Sequence, residues 1–175
     1  MAILVVAAFA VPVSARVDLC RQYVDSKDYD RAIDECSRML TSPAYPADEA
    51  YNNRGIAYAG KKQYDLAVAD YSRAIGLNPA FDKAFINRGN AYWHLGQYEK
   101  SFEAYKAAIK LNPDDPNAYY NMACRHALRN NEKEACTWLE KAVAKGFAQW
   151  ELIKKDSDLD GIRGAACYKQ ILNGK

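Results

Sequence analysis

The chain has 175 residues, half of them hydrophobic and 26% charged, with a formal net charge of +2. That length and balance fit a folded domain with a sizeable core, not a disordered segment, and the charge is too small to argue for nucleic acid or an anionic lipid surface as partner. Thirteen tyrosines against five phenylalanines point to a fold rich in surface, whose packing residues keep one polar edge near water.

Residues 2–13 carry no charge and are nearly all apolar, and Val13-Ser14-Ala15 closes the run with small residues. The pattern predicts a secretory signal over 1–15, with Arg16 as the mature N-terminus and a periplasmic or secreted protein. The run is shorter than the roughly 20 residues that span a bilayer, so no membrane span is expected. No lysine or arginine precedes it, the pattern of a signal whose start is truncated. The competing reading is a buried first helix in a cytoplasmic protein. Cys20 follows Val17-Asp18-Leu19, where a lipid-anchor site would want small residues.

Beyond this run the chain repeats itself. At a shift of 34, Asn53-Arg54-Gly55 recurs as Asn87-Arg88-Gly89, Ala57-Tyr58 as Ala91-Tyr92, Gln63-Tyr64 as Gln97-Tyr98, and Leu77-Asn78-Pro79 as Leu111-Asn112-Pro113. A further shift of 34 keeps Asn121, Ala135 and Ala142, and a shift of 35 backwards finds Tyr23, Tyr29, Ala32 and Leu40. Four units follow, at about 13–47, 48–81, 82–115 and 116–149, with a closing segment over 150–175. Each unit reads as two helices. In the second, Tyr51, Gly55 and Tyr58, then Tyr64, Ala67, Tyr71 and Ala74, keep the three-and-four spacing of amphipathic helices. Gly60-Lys61-Lys62 breaks the pattern between them, and Pro79 ends the second helix because proline removes a donor and clashes with the preceding turn. Small residues at Gly55 and Ala67 let the two helices approach closely, with tyrosines filling the space on either side. Arg54 is placed to pair with Asp70 across the hairpin. A unit of this kind cannot bury its apolar face alone, so neighbours must stack.

These residues resemble the tetratricopeptide repeat (TPR) family over 13–149. The spacing is most specific in the two middle units. The first unit departs with Cys20 at the tight glycine, and the fourth with Ala123 for glycine and Gly146-Phe147 where Asn-Pro stood. Such departures suit terminal units. Tyr120-Asn121-Met122-Ala123-Cys124, Trp138-Leu139-Glu140-Lys141-Ala142 and Asp158-Leu159-Asp160-Gly161-Ile162-Arg163 resemble the end of many bacterial arrays, in which a closing segment covers the last repeat. Here Trp150, Leu152 and Ile153 would form one apolar face of it, and Ile162, Cys167, Tyr168 and Ile171 a second. The resemblance implies an all-α, right-handed solenoid of antiparallel helix pairs with C-terminal capping helices, and no cofactor.

It also implies a concave groove lined by the first helix of each unit. The groove positions fall at Asn52 and Ile56, at Lys83, Ile86, Asn90 and Trp93, and at Asn117 and Tyr120, with Cys124 and Leu128 further along. Asn53, Asn87 and Asn121 follow one residue behind. Amides can satisfy the backbone of an extended peptide, and Trp93 and Tyr120 offer flat apolar contacts. The repeated asparagines can equally bond adjacent helices, since buried amides must find partners. One subclass grips a C-terminal carboxylate with lysines, asparagines and an arginine. This chain has Asn52, Ile56, Asn117 and Asn121 at positions of that set, so the charged clamp is not expected. The expected protein is a non-enzymatic adaptor for a protein or peptide segment. The alternative is a structural subunit that docks in a cell-envelope or secretion assembly without using the groove.

Three motifs invite other chemistry. Asp156-Ser157-Asp158-Leu159-Asp160-Gly161 opens like a calcium loop, but the twelfth residue is Cys167, where a bidentate Glu should close the coordination shell. A thiol is a poor ligand for a hard cation, so Asp158 or Asp160 is read as the cap of a helix beginning at Ile162-Arg163-Gly164. Gly55 to Lys62 almost spells a phosphate loop, but it lies inside a helix, whereas that loop joins a strand to a helix. Cys124 and His126 lie two apart on a helix, on different faces, and no catalytic or metal constellation emerges. The cysteines suit two bridges in an oxidising compartment. In the repeat arrangement Cys20 faces Cys36 across the first hairpin, and Cys136 lies under the segment containing Cys167. The competing reading is five small apolar packing residues.

Overall fold

The computed structural model describes residues 13–174, with side chains from residue 19 onward. The signal predicted for 1–15 lies outside the described residues, apart from the backbone of its last three. The described residues are helical: α1 Val13–Asp25, α2 Tyr29–Leu40, α3 Ala47–Gly60, α4 Tyr64–Leu77, α5 Asp82–His94, α6 Tyr98–Leu111, α7 Pro116–Leu128, α8 Glu132–Ala144, α9 Trp150–Lys155, a 3-10 helix Ser157–Ile162, and α10 Ala166–Asn173. They form stacked antiparallel pairs within two compact units, one ending at Pro79 and one beginning at Ala80. No helix among the described residues is long and apolar enough to cross a membrane.

In the first unit α3 and α4 meet where Gly55 faces Tyr71. A Cβ on Gly55 would sit 2.6 Å from the Tyr71 ring, so glycine is needed for the ring to lie flat on the helix. Arg54 crosses the hairpin as expected: its Nε and Nη2 donate to the two Asp70 carboxylate oxygens at 2.7 and 2.9 Å, and its Nη1 donates to Ser37 Oγ at 2.9 Å. The guanidinium also lies 5.5 Å from the Tyr51 ring centroid, so a buried carboxylate is matched by a planar, stacked cation. Asn78, before Pro79, donates to Asp48 at the start of α3.

The second unit repeats these devices with changes. Gly89 faces Tyr105 as Gly55 faces Tyr71, Ser101 Oγ donates to the Gly89 carbonyl at 2.7 Å, and Asn112 donates to Asp82. Its core continues into the closing segment, where Ile153, Leu159 and Ile162 are fully buried and Tyr168 donates to the Ile153 carbonyl. Two expectations about that segment change. In α9 it is Ile153 that turns inward, while Leu152 is 43% exposed. The cap is Asp156, whose Oδ1 accepts the Asp158 N–H at 3.0 Å and opens the 3-10 helix. The last helix starts only at Ala166, without a side-chain cap. Gly161 lies between the two, with its backbone packed so closely on α7 that an added Cβ would lie 2.9 Å from the Ala127 carbonyl oxygen.

Candidate functional site

The predicted groove residues fall into three environments. In the first unit Asn52 is buried and Ile56 half-buried. In the second unit Lys83 is exposed, Ile86 is buried in the hydrophobic core, and Asn87 and Asn90 are half-buried. Asn90 Oδ1 accepts the Tyr105 hydroxyl at 2.6 Å, so one end of this amide is held while its nitrogen stays a donor. Trp93 is half-buried, with Tyr98 at 4.5 Å and Phe102 at 6.2 Å between ring centroids. On α7, Asn117 is exposed and donates to its own capping residue Asp115, while Asn121 is half-buried.

Tyr120 departs from its expected role. It is 6% exposed, stacks on Phe147 at 4.1 Å and donates to Asp156 Oδ2 at 2.7 Å. It is therefore an internal anchor for the closing segment and offers no flat surface to a partner. Burial is the main cause that pushes its hydroxyl pKa upward, with Cys124 and Asp156 adding to it. Cys124 shares this fate: burial first, then Asp156, raises its thiol well above the ordinary range.

The aspartates of the calcium-like stretch are divided among separate partners. Asp156 holds Tyr120 and the Asp158 backbone, Asp158 accepts from Arg125 at 3.0 Å, and Asp160 accepts from Arg163 at 2.5 Å. Ligand atoms of Cys124, Asp156 and Asp158 do lie within 4.8 Å of one another. That set mixes a protonated thiol with carboxylates already engaged by a hydroxyl and a guanidinium, which suits a structural knot better than a cation site. The structure joins Cys20 to Cys36 and Cys136 to Cys167, with Cα separations of 5.3 and 6.0 Å, and leaves Cys124 a buried free thiol.

Sequence reasoning missed Arg125. Its guanidinium carbon lies 5.1 Å from the Trp93 ring centroid, and the side chain is 12% exposed. A separation of 32 residues between the two belongs to no helical period, so only the folded chain brings them together. His94 shares this corner. Its pKa is lowered, first by burial and then by Arg125, with Asp158 pulling the other way.

Two family models match the chain: Tetratricopeptide repeat over residues 48–81 and TPR repeat over 89–123. Among solved structures, a crystal structure of MamA shares 26% identity and superposes with a TM-score of 0.67 over 76% of this chain and 77% of that one. MamA from Desulfovibrio magneticus RS-1, residue 41 to the end, shares 22% identity and a TM-score of 0.67 over 79% and 77% of the two chains. A further MamA crystal structure shares 24% identity and a TM-score of 0.65, covering 82% and 76%. No curated protein matches the sequence. The stacked helix pairs are those of these solved structures.

Proposed function

The chain is a tetratricopeptide repeat protein, and from that premise we propose that it is a non-catalytic adaptor that holds an extended protein segment along α5 and α7. Stacked helix pairs of this kind present the faces of their first helices as a surface for protein interaction. The observation that carries this reading is Trp93, half-buried and packed against both Tyr98 and the Arg125 guanidinium. Rigid aromatic side chains beside an arginine are the usual anchors of protein interfaces. Asn90 and Asn121, on the same two helices, supply amides for a peptide backbone.

The test is affinity capture from the native host with wild type and Trp93→Ala, alongside thermal unfolding. Partners should be lost from the variant while it stays folded and still unfolds cooperatively, at a midpoint lowered by the lost packing of the ring. Retention of every partner would sink the groove reading. Docking in a larger assembly without the groove is the rival, and a cleft of about 620 Å³ favours it, lined by Ala148, Trp150, Leu152 and Leu172 with Gln149, Glu151 and Lys154. Partners kept by Trp93→Ala but lost on Leu152→Asp would select that rival. We also propose that the protein works in an oxidising compartment, periplasmic or secreted. The apolar run before Arg16 and the two joined cysteine pairs support this.

A further inference from the structure

We propose that the corner formed by Trp93, His94 and Arg125 takes an acidic side chain of the bound segment, and that Asp158 of the closing segment stands in for it in this structure. This rests on the groove reading and names the partner's chemistry.

The charges on the first helices of the second unit are one-sided. The basic residues are Lys83, Arg88 and Arg125, with Arg129 just past the end of α7. The acidic residue of these two helices is Asp82, and it is engaged by Asn112 Nδ2 at 2.7 Å and the Lys83 backbone N–H at 2.8 Å. Asp115, which caps α7, is taken by the backbone and side chain of Asn117. Glu99 stands 3.8 Å from Arg129 and is 82% exposed, so solvent weakens its hold. Around Arg125 these two helices therefore offer cations and no unengaged carboxylate of their own, which favours a negatively charged partner.

Arg125 is the focus of this field. Its Nη1 donates to Asp158 at the exposed end of the side chain, while its inner end lies against Tyr105. A guanidinium carries five donors in a fixed fork, so this one retains donor capacity for a second carboxylate. The Trp93 ring lies over the guanidinium and so fixes the plane in which its fork can meet a carboxylate.

The closing segment shows how such a ligand lies. Asp156 meets Tyr120, Asp158 meets Arg125, and Gly161 rests on the Ala127 carbonyl. An acidic stretch of the chain itself thus runs along α7. Asp156 is anchored inside, whereas the Asp158 side chain is 31% exposed at the lip. Asp158 competes for Arg125 and so sets the threshold for a partner's carboxylate.

The test uses the full chain and a short fluorescent peptide alternating glutamate with phenylalanine, beside its glutamine counterpart, read by polarisation. The glutamate peptide should bind, and the glutamine peptide should bind at least several-fold more weakly. Asp158→Asn should tighten the glutamate peptide by roughly three- to tenfold, the scale of one removed competing charge. Arg125→Gln with Asp158→Asn, which leaves no charge unpaired in the corner, should abolish the preference for glutamate. Equal binding of the two peptides, an unchanged affinity in Asp158→Asn, or a preference that survives the double variant would each overturn the proposal. Equal binding that Trp93→Ala removes would keep the groove and reject only the acidic partner. Binding that Trp93→Ala leaves intact would reject both.

Discussion

Cys124 holds its thiol 3.8 Å from Asp156 Oδ2, next to the Tyr120 hydroxyl that donates to the same oxygen. Both groups are pushed up in pKa by burial first; Asp156 comes next for Cys124, and Cys124 and then Asp156 for Tyr120. The consequence for stability has a definite sign. An unfolded thiol loses its proton near pH 8.5 and an unfolded tyrosine near pH 10, whereas in the folded chain both keep their protons to higher pH. The contribution is fully present below about pH 8 and is lost as pH rises through that window. Thermal midpoints should fall with pH above about 8, and Cys124→Ala should flatten the first part of the fall. Parallel curves for wild type and variant would show that Cys124 does not titrate on unfolding. The same burial should leave Cys124 unalkylated in the folded protein.

At the scale of elements, the turns between paired helices share one strained position. Lys27, Lys62 and Asn130 have φ of 60°, 60° and 57°, and Gly96 supplies the same turn at 71°. A side chain in the left-handed region costs about 1 kcal/mol or more, partly offset for glycine by a floppier unfolded chain. Lys62→Gly should therefore raise stability by about 0.5 kcal/mol, measured by denaturant titration. The place of this turn is legible in the sequence, because Gly60-Lys61-Lys62 interrupts the helical spacing, but its left-handed backbone is not. Helices α3 to α6 were legible because their burial follows a helical period. The closing segment was not. A 3-10 helix of six residues has too few turns to show a period, and Tyr120 finds Asp156 across 36 residues. Hence the sequence pattern alone points to Asp158 or Asp160 as the cap and to Tyr120 as a groove residue. The corrected geometry has its own test. Ile162→Asp puts a charge among fully buried residues and should cost at least about 4 kcal/mol. Added calcium should leave the wild-type midpoint where it is, because the aspartates already have partners. A calcium-dependent rise would restore the metal reading.

At the scale of the molecule, each unit carries its own covalent brace. Cys20–Cys36 closes a separation of 16 residues in the first and Cys136–Cys167 one of 31 in the second. Loop-closure entropy makes these worth about 3 and about 4 kcal/mol against the unfolded chain, a large share of the 5–15 kcal/mol that holds a typical domain together. The second brace also ties α10 to α8, over the apolar residues of the last repeat. If the protein works in an oxidising compartment, unreduced protein treated with an alkylating agent in denaturant should gain one label, at Cys124. A dithiol reductant should raise that to five and lower the thermal midpoint. Replacing Cys136 and Cys167 with alanine should reproduce the part of that loss that belongs to the second unit, read by faster amide exchange in α8 and α10. Replacing Cys20 and Cys36 should instead speed exchange in α1 and α2. Five labels without reductant would remove both braces, and with them the case for export that rests on the cysteines.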